Sequence, residues 1–223
     1  MNINEYADRD MLAIDVANML AGELENTLLT HESASLALPG GTTPGPIYDV
    51  LCAVRLDWAR VHIMLTDERW VDETSQNSNA ALLRRRLLTE RAAAAQFTPY
   101  YRAGKSATEA ASEVSETIDR FMPISVLVLG MGVDMHTASL FPGAVGLDAA
   151  LAPNAPHLCP ISVPGQSHER LSLSAAALDG AMSKHLVIYG EDKRAALERA
   201  MTLSPSEAPV STVLNQATIH WAA

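Results

Sequence analysis

The chain has 223 residues, of which 48% are hydrophobic and 19% are charged, and it carries a formal net charge of −10. This length and apolar content favour one folded domain over residues 1–223 with a large buried core, and they argue against intrinsic disorder. The negative charge argues against sequence-independent binding to nucleic acid or to anionic membranes, because both need a basic protein surface.

A helix is predicted near the start of the chain, because apolar residues recur there at every fourth position. Asp8 or Asp10 is the expected cap of this helix, which ends at about Leu29. The apolar stripe consists of Leu12, Val16, Leu20, Leu24 and Leu28.

Two short apolar runs, residues 35–38 and 61–65, predict buried strands that are each followed by a helix. Thr43 before Pro44 is typical of a helix cap and first turn, and Ser78 marks the approximate start of the helix after the second strand. Further strands are predicted over residues 124–129, 157–163, 170–173, 185–189 and 218–221, and further helices over residues 106–121 and 210–217 and directly after residues 190–193. This alternation indicates an α/β fold with a mostly parallel, Rossmann-like sheet that has helices on both faces.

Polar residues follow three of the predicted strands at the point where each strand ends. Thr42, Asp67 and His136 each lie just after the carboxyl end of a strand. Open α/β sheets bind their ligands at this edge of the sheet. We therefore expect the three segments to form one ligand site.

The segment Gly40-Gly41-Thr42-Thr43 joins a predicted strand to a predicted helix. Glycines let backbone N–H groups approach an anion, and a helix N-terminus favours negative charge, so this loop can bind a phosphate group. The alternative is an ordinary turn in which glycine supplies a positive φ. No Lys-Ser or Lys-Thr pair follows at the spacing of a Walker A loop.

The segment from Gly130 to His136 begins like a dinucleotide-binding motif, but Met135 stands where the third glycine belongs and no acidic-ended strand follows at the expected distance. We therefore expect no nicotinamide cofactor. Gly130 and Gly132 instead turn the chain so that Asp134 and His136 project over the sheet edge. Histidine suits a general base because its ordinary pKa lies near neutral pH. The other histidines are expected to be structural, namely His31, His62, His157, His168, His185 and His220.

Charged residues after two other strands can contribute to the same site. Arg69, in Asp67-Glu68-Arg69, can supply positive charge to a phosphate or an oxyanion while a carboxylate positions polar groups; the alternative is a solvated charged turn. Lys193 can reach the phosphate from another side, or it can be an ordinary surface lysine early in a helix. The Gly-x-Ser-x-Gly, His-Glu-x-x-His and Cys-x-x-Cys motifs of other hydrolase and zinc sites are absent.

Cys52 and Cys159 lie far apart in the sequence and lack metal-binding or redox spacing, so neither a zinc site nor a disulfide framework is expected. The first ten residues lack the basic and apolar segments of a signal peptide. No apolar run approaches the ~20 residues that a membrane span needs. The expected compartment is the cytoplasm.

Several segments together carry a family resemblance, and they cover nearly the whole chain. They are Pro39-Gly-Gly-Thr-Thr-Pro44, Leu65-Thr-Asp-Glu-Arg-Trp-Val71, Ser78-Asn79, Leu129-Gly-Met-Gly-Val-Asp134, His136-Thr-Ala-Ser-Leu-Phe-Pro-Gly143, Glu169-Arg-Leu-Ser-Leu173, Tyr189-Gly-Glu-Asp-Lys193, Pro209-Val210 and Ile219-His-Trp221. In this order they resemble bacterial 6-phosphogluconolactonases, within the superfamily that also contains glucosamine-6-phosphate isomerases.

The resemblance implies hydrolysis of 6-phospho-D-glucono-1,5-lactone to 6-phospho-D-gluconate in the oxidative branch of the pentose phosphate pathway, without a metal or an organic cofactor. It implies that His136 is catalytic. The positions that it assigns to the phosphate or the substrate's negative charge are Gly40, Gly41, Thr42, Arg69 and Lys193. The expected partner is a small sugar phosphate, bound by a monomer or a weak homo-oligomer.

Further roles follow if His136 takes a proton from the attacking water. We predict that Asp134 orients His136, that Arg69 assists catalysis, and that Asp67 and Arg170 contact the substrate. The charge that develops on the carbonyl oxygen needs positioned donors, and the backbone N–H groups of residues 130–132 are candidates.

Two residues depart from the family pattern. Pro39 stands where the family usually has a serine, so a hydroxyl contact is missing. Met135 stands where the family usually has a glycine directly before the histidine. If that position needs a positive φ, methionine introduces a strain of ~1 kcal/mol or more, and if it lies against the substrate, methionine narrows the pocket.

Two other functions are compatible with the same fold. An aldose–ketose isomerase or deaminase would use carboxylates such as Asp67 to move protons, but that branch typically carries a glutamate shortly after the histidine. Ala138-Ser-Leu-Phe-Pro142 occupies that region here and favours the lactonase. The other alternative is a sugar-phosphate-binding domain without catalysis.

Overall fold

A computed structural model describes residues 2–223 of the chain. Its strands are β1 (Asn2–Tyr6), β2 (Ala34–Leu38), β3 (Val61–Leu65), β4 (Asp67–Arg69), β5 (Gln96–Thr98), β6 (Val126–Leu129), β7 (Leu158–Ile161), β8 (Arg170–Leu173), β9 (Ser183–Tyr189) and β10 (Thr218–Ala222). Its α-helices are α1 (Arg9–Thr30), α2 (Gly45–Leu51), α3 (Asn79–Arg86), α4 (Ala107–Asp119), α5 (Leu147–Leu151), α6 (Ala175–Asp179) and α7 (Glu191–Ala200). Short 3-10 helices span Trp58–Arg60, Glu90–Ala94 and Pro209–Val213.

Seven of these strands form one parallel sheet in the order β1-β10-β9-β6-β2-β3-β5. The prediction of an α/β fold with a mostly parallel, Rossmann-like sheet is therefore confirmed. The central strands β2, β3 and β6 are buried at every residue, which explains why their sequences are continuous apolar runs.

The chain leaves the centre of this sheet in two directions. β3 and β5 continue from β2 on one side, whereas β9 and β10 continue from β6 on the other. Because β2 and β6 lie side by side, the loops after their carboxyl ends diverge and open a crevice at this switch point. Those two loops are the Gly40 and Gly130 segments.

A second, antiparallel sheet of β4, β8 and β7 lies beyond the end of β3. One residue, Thr66, separates β3 from β4, and its N–H donates to the Leu38 carbonyl at the end of β2 (2.9 Å). In the β4–β8 pair Asp67 lies opposite Ser172 and Arg69 opposite Arg170. The small sheet thus brings the Arg170 segment to the same edge as the β2 loop.

Helix α1 confirms the expected start and apolar stripe. Asp8 accepts a hydrogen bond from the Met11 N–H (2.7 Å), and the stripe residues from Leu12 to Leu28 are buried. Ser78 caps α3 in the same way, with its hydroxyl accepting from the Ala81 N–H (3.1 Å). Among the helices of residues 2–223, none is long and apolar enough to cross a membrane.

Some local predictions are wrong. Thr43 does not cap α2: Pro44 precedes the helix, no side-chain cap forms, and the Gly45 N–H donates to the Thr42 carbonyl instead (3.3 Å). The helix predicted over 210–217 is only the 3-10 turn Pro209–Val213, because the chain turns at Gln216 with φ +60° before β10.

Candidate active site

A cleft with a volume of about 420 Å³ lies at the switch point. The loops after β2 and β6, the small sheet and the start of α7 all contribute to its walls. The predicted site residues that line it are Gly40, Gly41, Thr42, Asp67, Arg69, His136, Arg170 and Lys193. Asp134 is joined to them through a hydrogen bond to His136.

The loop after β2 presents backbone N–H groups to this cleft. Gly41 has φ +87°, a left-handed conformation that glycine adopts without strain. Within residues 2–223, the N–H groups of Gly40, Gly41 and Thr42 donate to no protein acceptor. The loop is held from behind, because the buried Tyr48 hydroxyl donates to the Pro39 carbonyl (2.6 Å). This arrangement can accept an anion from the cleft.

His136 is fixed by a carboxylate and by an aromatic ring. Its Nδ1 lies 2.5 Å from Asp134 Oδ1, and the same oxygen accepts the backbone N–H of His136 (3.3 Å). The imidazole stacks on Phe141, with ring centroids 3.9 Å apart. Because a carboxylate only accepts, Nδ1 carries a proton and a neutral ring keeps Nε2 as its acceptor. A base placed in this way can take a proton from water.

The turn before His136 depends on a glycine and on a left-handed methionine. A Cβ at Gly132 would overlap both the Asp134 carboxylate and the His136 ring, so any other residue there would displace this pair. Met135 has φ +65°, and its carbonyl accepts the Val210 N–H (3.1 Å). Met135 therefore occupies a backbone conformation that costs a non-glycine residue about 1–2 kcal/mol.

The same turn uses one of the expected oxyanion donors for its own structure. The Gly132 N–H donates to the His136 carbonyl (3.1 Å), so it is not available to a substrate. The N–H groups of Gly130 and Met131 donate to no protein acceptor within the described chain. The candidate donors are thereby reduced to these two.

Asp67 is buried and tied to the small sheet. Its carboxylate accepts from the Ser139 hydroxyl (2.5 Å) and the Thr66 hydroxyl (3.0 Å), and Arg170 Nη1 lies 3.8 Å away. Arg170 also donates to Gln166 (2.5 Å), and burial lowers the pKa of its guanidinium. Asp67 and Arg170 form a partly neutralised pair at the cleft wall.

Arg69 and Lys193 have no carboxylate partner within residues 2–223. The Arg69 guanidinium donates to the Asn77 carbonyl (3.0 Å) and to Asn79 Oδ1 (3.2 Å), which are neutral groups. Burial lowers the pKa of Lys193. Two uncompensated cations beside free backbone N–H groups make the cleft locally attractive to an anion in a chain of net charge −10.

Glu68 faces away from the cleft and fixes the start of α3. It is fully buried and accepts hydrogen bonds from the N–H groups of Asn79 (2.7 Å) and Ala80 (2.8 Å), and from the Ser78 hydroxyl (3.2 Å). Burial raises the pKa of Glu68 to about 7, although these hydrogen bonds favour the ionised form. The charged triplet is therefore a strand with Asp67 and Glu68 buried, and not a solvated turn.

Sequence reasoning missed some residues of the site. Asn79 and Phe141 line the cleft and Ser139 holds Asp67, and all three lie in segments that carry the family resemblance, which is the signal that could have identified them. Gln166 also lines the cleft. It reaches Arg170 from the turn before β8, and no motif marks it.

A sequence model of the family described as glucosamine-6-phosphate isomerases/6-phosphogluconolactonase matches residues 7–221. The chain belongs to this family. Among curated members, it is 40% identical over 210 residues to a 6-phosphogluconolactonase of Pseudomonas aeruginosa, covering 92% of this chain and 88% of the relative. It is 37% identical over 224 residues to one of Pseudomonas putida, covering 99% and 93%.

A solved structure agrees with this family membership. The crystal structure of a 6-phosphogluconolactonase from Shewanella baltica superposes on this chain with a TM-score of 0.96. The two sequences are 30% identical, and the match covers 100% of this chain and 98% of the other. The match therefore includes the main sheet, the small sheet and the loops at the switch point.

Proposed function

We propose that this chain is a 6-phosphogluconolactonase in which His136 is the general base. Its curated relatives carry that name at 35–40% identity over most of the chain. The reaction opens 6-phospho-D-glucono-1,5-lactone to 6-phospho-D-gluconate in the oxidative branch of the pentose phosphate pathway. The observation that carries the role of His136 is its Nδ1 contact with Asp134, which leaves Nε2 as the acceptor in a cleft with uncompensated cations.

The phosphate group binds to the loop after β2. The free N–H groups of Gly40, Gly41 and Thr42 donate to its oxygens, and Lys193 and Arg69 supply the opposing charge. Asp67 and Arg170 contact the sugar, with Asp67 oriented by Ser139. These assignments are supported by the shared cleft and by the absence of carboxylate partners for the two cations within the described residues.

Water attacks the lactone carbonyl carbon while His136 Nε2 takes one of its protons, so a C–O bond forms and the carbonyl oxygen becomes an oxyanion. The N–H groups of Gly130 and Met131 stabilise this charge. Asp134 stabilises the imidazolium through Nδ1. The intermediate then collapses, the ring C–O bond breaks, and the imidazolium returns its proton to the departing ring oxygen.

Two other functions have weaker support. An aldose–ketose isomerase or deaminase would need a mobile carboxylate at the substrate, but Asp67 is buried and accepts two hydroxyl groups. The segment after His136, Ala138-Ser-Leu-Phe-Pro142, holds no glutamate, whereas that branch typically carries one there. A non-catalytic sugar-phosphate-binding domain would not need the Asp134–His136 pair. Cytoplasmic location, a single domain and a monomeric or weakly associating state stay predictions.

The direct test is a lactonase assay on the purified protein, coupled to 6-phosphogluconate dehydrogenase. We expect reduced cofactor to form well above the rate of spontaneous lactone hydrolysis. Glucosamine 6-phosphate is offered in parallel as the substrate of the isomerase alternative. Turnover of that amino sugar with no acceleration of lactone hydrolysis, or tight binding of both compounds without reaction, would overturn the proposal.

A further inference from the structure

One side-chain amide joins three parts of the cleft. Asn79 is 3% exposed, and its Nδ2 donates to the Asp67 carbonyl (2.8 Å). Its Oδ1 accepts from Arg69 Nη1 (3.2 Å). On another side the amide lies against Gly40, where a Cβ would overlap it. The amide therefore contacts the loop after β2, the backbone of β4 and the guanidinium that faces the cleft.

The partners of Asn79 fix the orientation of its amide. A backbone carbonyl only accepts and a guanidinium only donates, so a flipped amide would place donor against donor and acceptor against acceptor. The backbone of Asn79 is held as well, because its N–H donates to the buried carboxylate of Glu68 (2.7 Å). The amide is thus anchored from both its backbone and its side chain.

We propose that Asn79 is a positioning residue that sets the Arg69 guanidinium against the Gly40 loop, so that both meet the same anionic group. The proposal rests on the proposed function for the identity of that group. Asparagine supplies what no close relative in size can: aspartate would pair with Arg69 and neutralise it, and would repel the Asp67 carbonyl. Glycine at position 40 is required for the same reason, because the amide occupies the space of a side chain.

The test compares Asn79→Ala, the isosteric Asn79→Asp, Gly40→Ala and the double variant Gly40→Ala/Asn79→Ala. We expect Asn79→Ala to raise the KM for the lactone about tenfold while kcat falls less than about threefold, because binding is lost and the base is untouched. Asn79→Asp raises KM at least as much, since it places a negative charge on Arg69. Gly40→Ala is more damaging alone than in the Asn79→Ala background, because removing the amide makes room for the added methyl group.

Affinity for inorganic phosphate, measured by calorimetry on the same proteins, follows KM and does not depend on turnover. Asn18→Ala, an exposed asparagine on α1, is the matched control and leaves both quantities unchanged. If Asn79→Ala fails to fold, the isosteric Asn79→Asp carries the test. A KM and a phosphate affinity within about twofold of wild type in the folded variants would overturn the proposal, as would additive effects of the two substitutions. A wild-type protein that binds phosphate but hydrolyses no lactone contradicts the proposed function alone.

Discussion

Met135 lies directly before the proposed base in a left-handed conformation, φ +65°. Its side chain is partly buried and packs against the core, so a glycine substitution changes both packing and strain. Alanine separates the two effects. Like glycine, it lacks the methionine atoms that pack against the core, but it keeps the Cβ that causes the strain. We predict that Met135→Gly is more stable than Met135→Ala by about 1 kcal/mol, measured as the free energy of unfolding in urea.

The sign of this difference is what identifies the backbone strain. In an exposed helical position glycine is less stable than alanine by about 1 kcal/mol, and Ala195→Gly in α7 serves as that control. If glycine were the less stable residue at position 135 as well, the left-handed conformation would not be strained. In that case the departure from the family glycine would affect only the shape of the cleft.

At the same scale, a residue can be predicted from the sequence when its type and its motif indicate its chemistry. A residue whose role depends on contacts with distant parts of the chain cannot. His136 and the glycines of the β2 loop are identified by their motifs. The role of Asn79 is not, since it depends on contact with Gly40, which is distant in the sequence. Two of its three contacts, with the Asp67 carbonyl and with the space beside Gly40, involve no side chain of the partner residue. Such contacts leave no pattern in the residue types.

Among the elements, β4 is the one that the sequence predicts least well. Asp67 and Glu68 are residue types that strands disfavour, and the sequence left a solvated turn and a functional segment as alternatives. The structure buries both because distant groups satisfy them: Ser139 for Asp67, and the start of α3 for Glu68. Partners of this kind cannot be inferred from a window around β4.

Two edge strands were missed for a simpler reason. β5 has three residues, and β1 carries polar residues that give no apolar run. Each pairs on one side only, so an edge strand needs less apolar sequence than the buried strands β2, β3 and β6. The central strands were located to within two residues because all their side chains are buried.

A hydrogen-bonded chain connects β1, β9, β10 and α1 through buried histidines. The fully buried His220 lies between the Tyr6 hydroxyl (2.9 Å) and His185 Nδ1 (3.0 Å). Beyond them, Tyr6 donates to Asp15 (2.7 Å) and His185 Nε2 lies 2.8 Å from Glu23. Burial lowers the pKa of His220 to about 4, His185 lowers it further, and Asp15 and Glu23 act in the opposite direction.

This low pKa predicts how stability changes with acidity. The unfolded chain binds a proton at a pKa near 6.5 but the folded chain resists it, so the contribution is complete above pH 6.5 and is lost as pH falls toward 4. Between pH 7 and pH 5 we expect His220 to contribute a loss of about 2 kcal/mol in the free energy of unfolding. His220→Gln should reduce the pH dependence by about this amount, as measured by urea unfolding at a series of pH values.

An exposed histidine provides the control for this measurement. His31→Gln, at the end of α1, is measured over the same pH series for comparison. His62 has a pKa lowered in the same direction, also to about 4, and accounts for part of the remaining slope. If the free energy of unfolding of His220→Gln changed with pH as steeply as that of the wild type, the pKa of His220 would not differ between the folded and unfolded states.

Considered as a whole, the molecule combines an acidic surface with a locally cationic cleft. It has 26 acidic and 16 basic residues. At the cleft, however, Arg69 and Lys193 have no carboxylate partner within the described chain. Affinity for a phosphate must therefore come from short-range hydrogen bonds and not from the overall field, which repels anions. The order of the strands explains how these groups meet, because β2 and β6 are adjacent and their loops diverge.

The sequence predicted this meeting point because its three motif-bearing segments each follow a buried strand, and parallel strands share one carboxyl edge. It did not predict the small antiparallel sheet, in which the β4–β8 pair joins segments about a hundred residues apart and brings Arg170 beside Asp67. Local periodicity carries information about helices and buried strands, but not about which distant segments pair.

The central claim is that His136 removes the proton from the attacking water, and turnover by His136→Ala tests it most directly. The variant should bind inorganic phosphate within about twofold of wild type, since the β2 loop and the cations are unchanged. Its kcat for lactone hydrolysis should fall at least about 100-fold, as expected when a general base is removed. A folded His136→Ala protein that hydrolyses the lactone at nearly the wild-type rate would contradict the account.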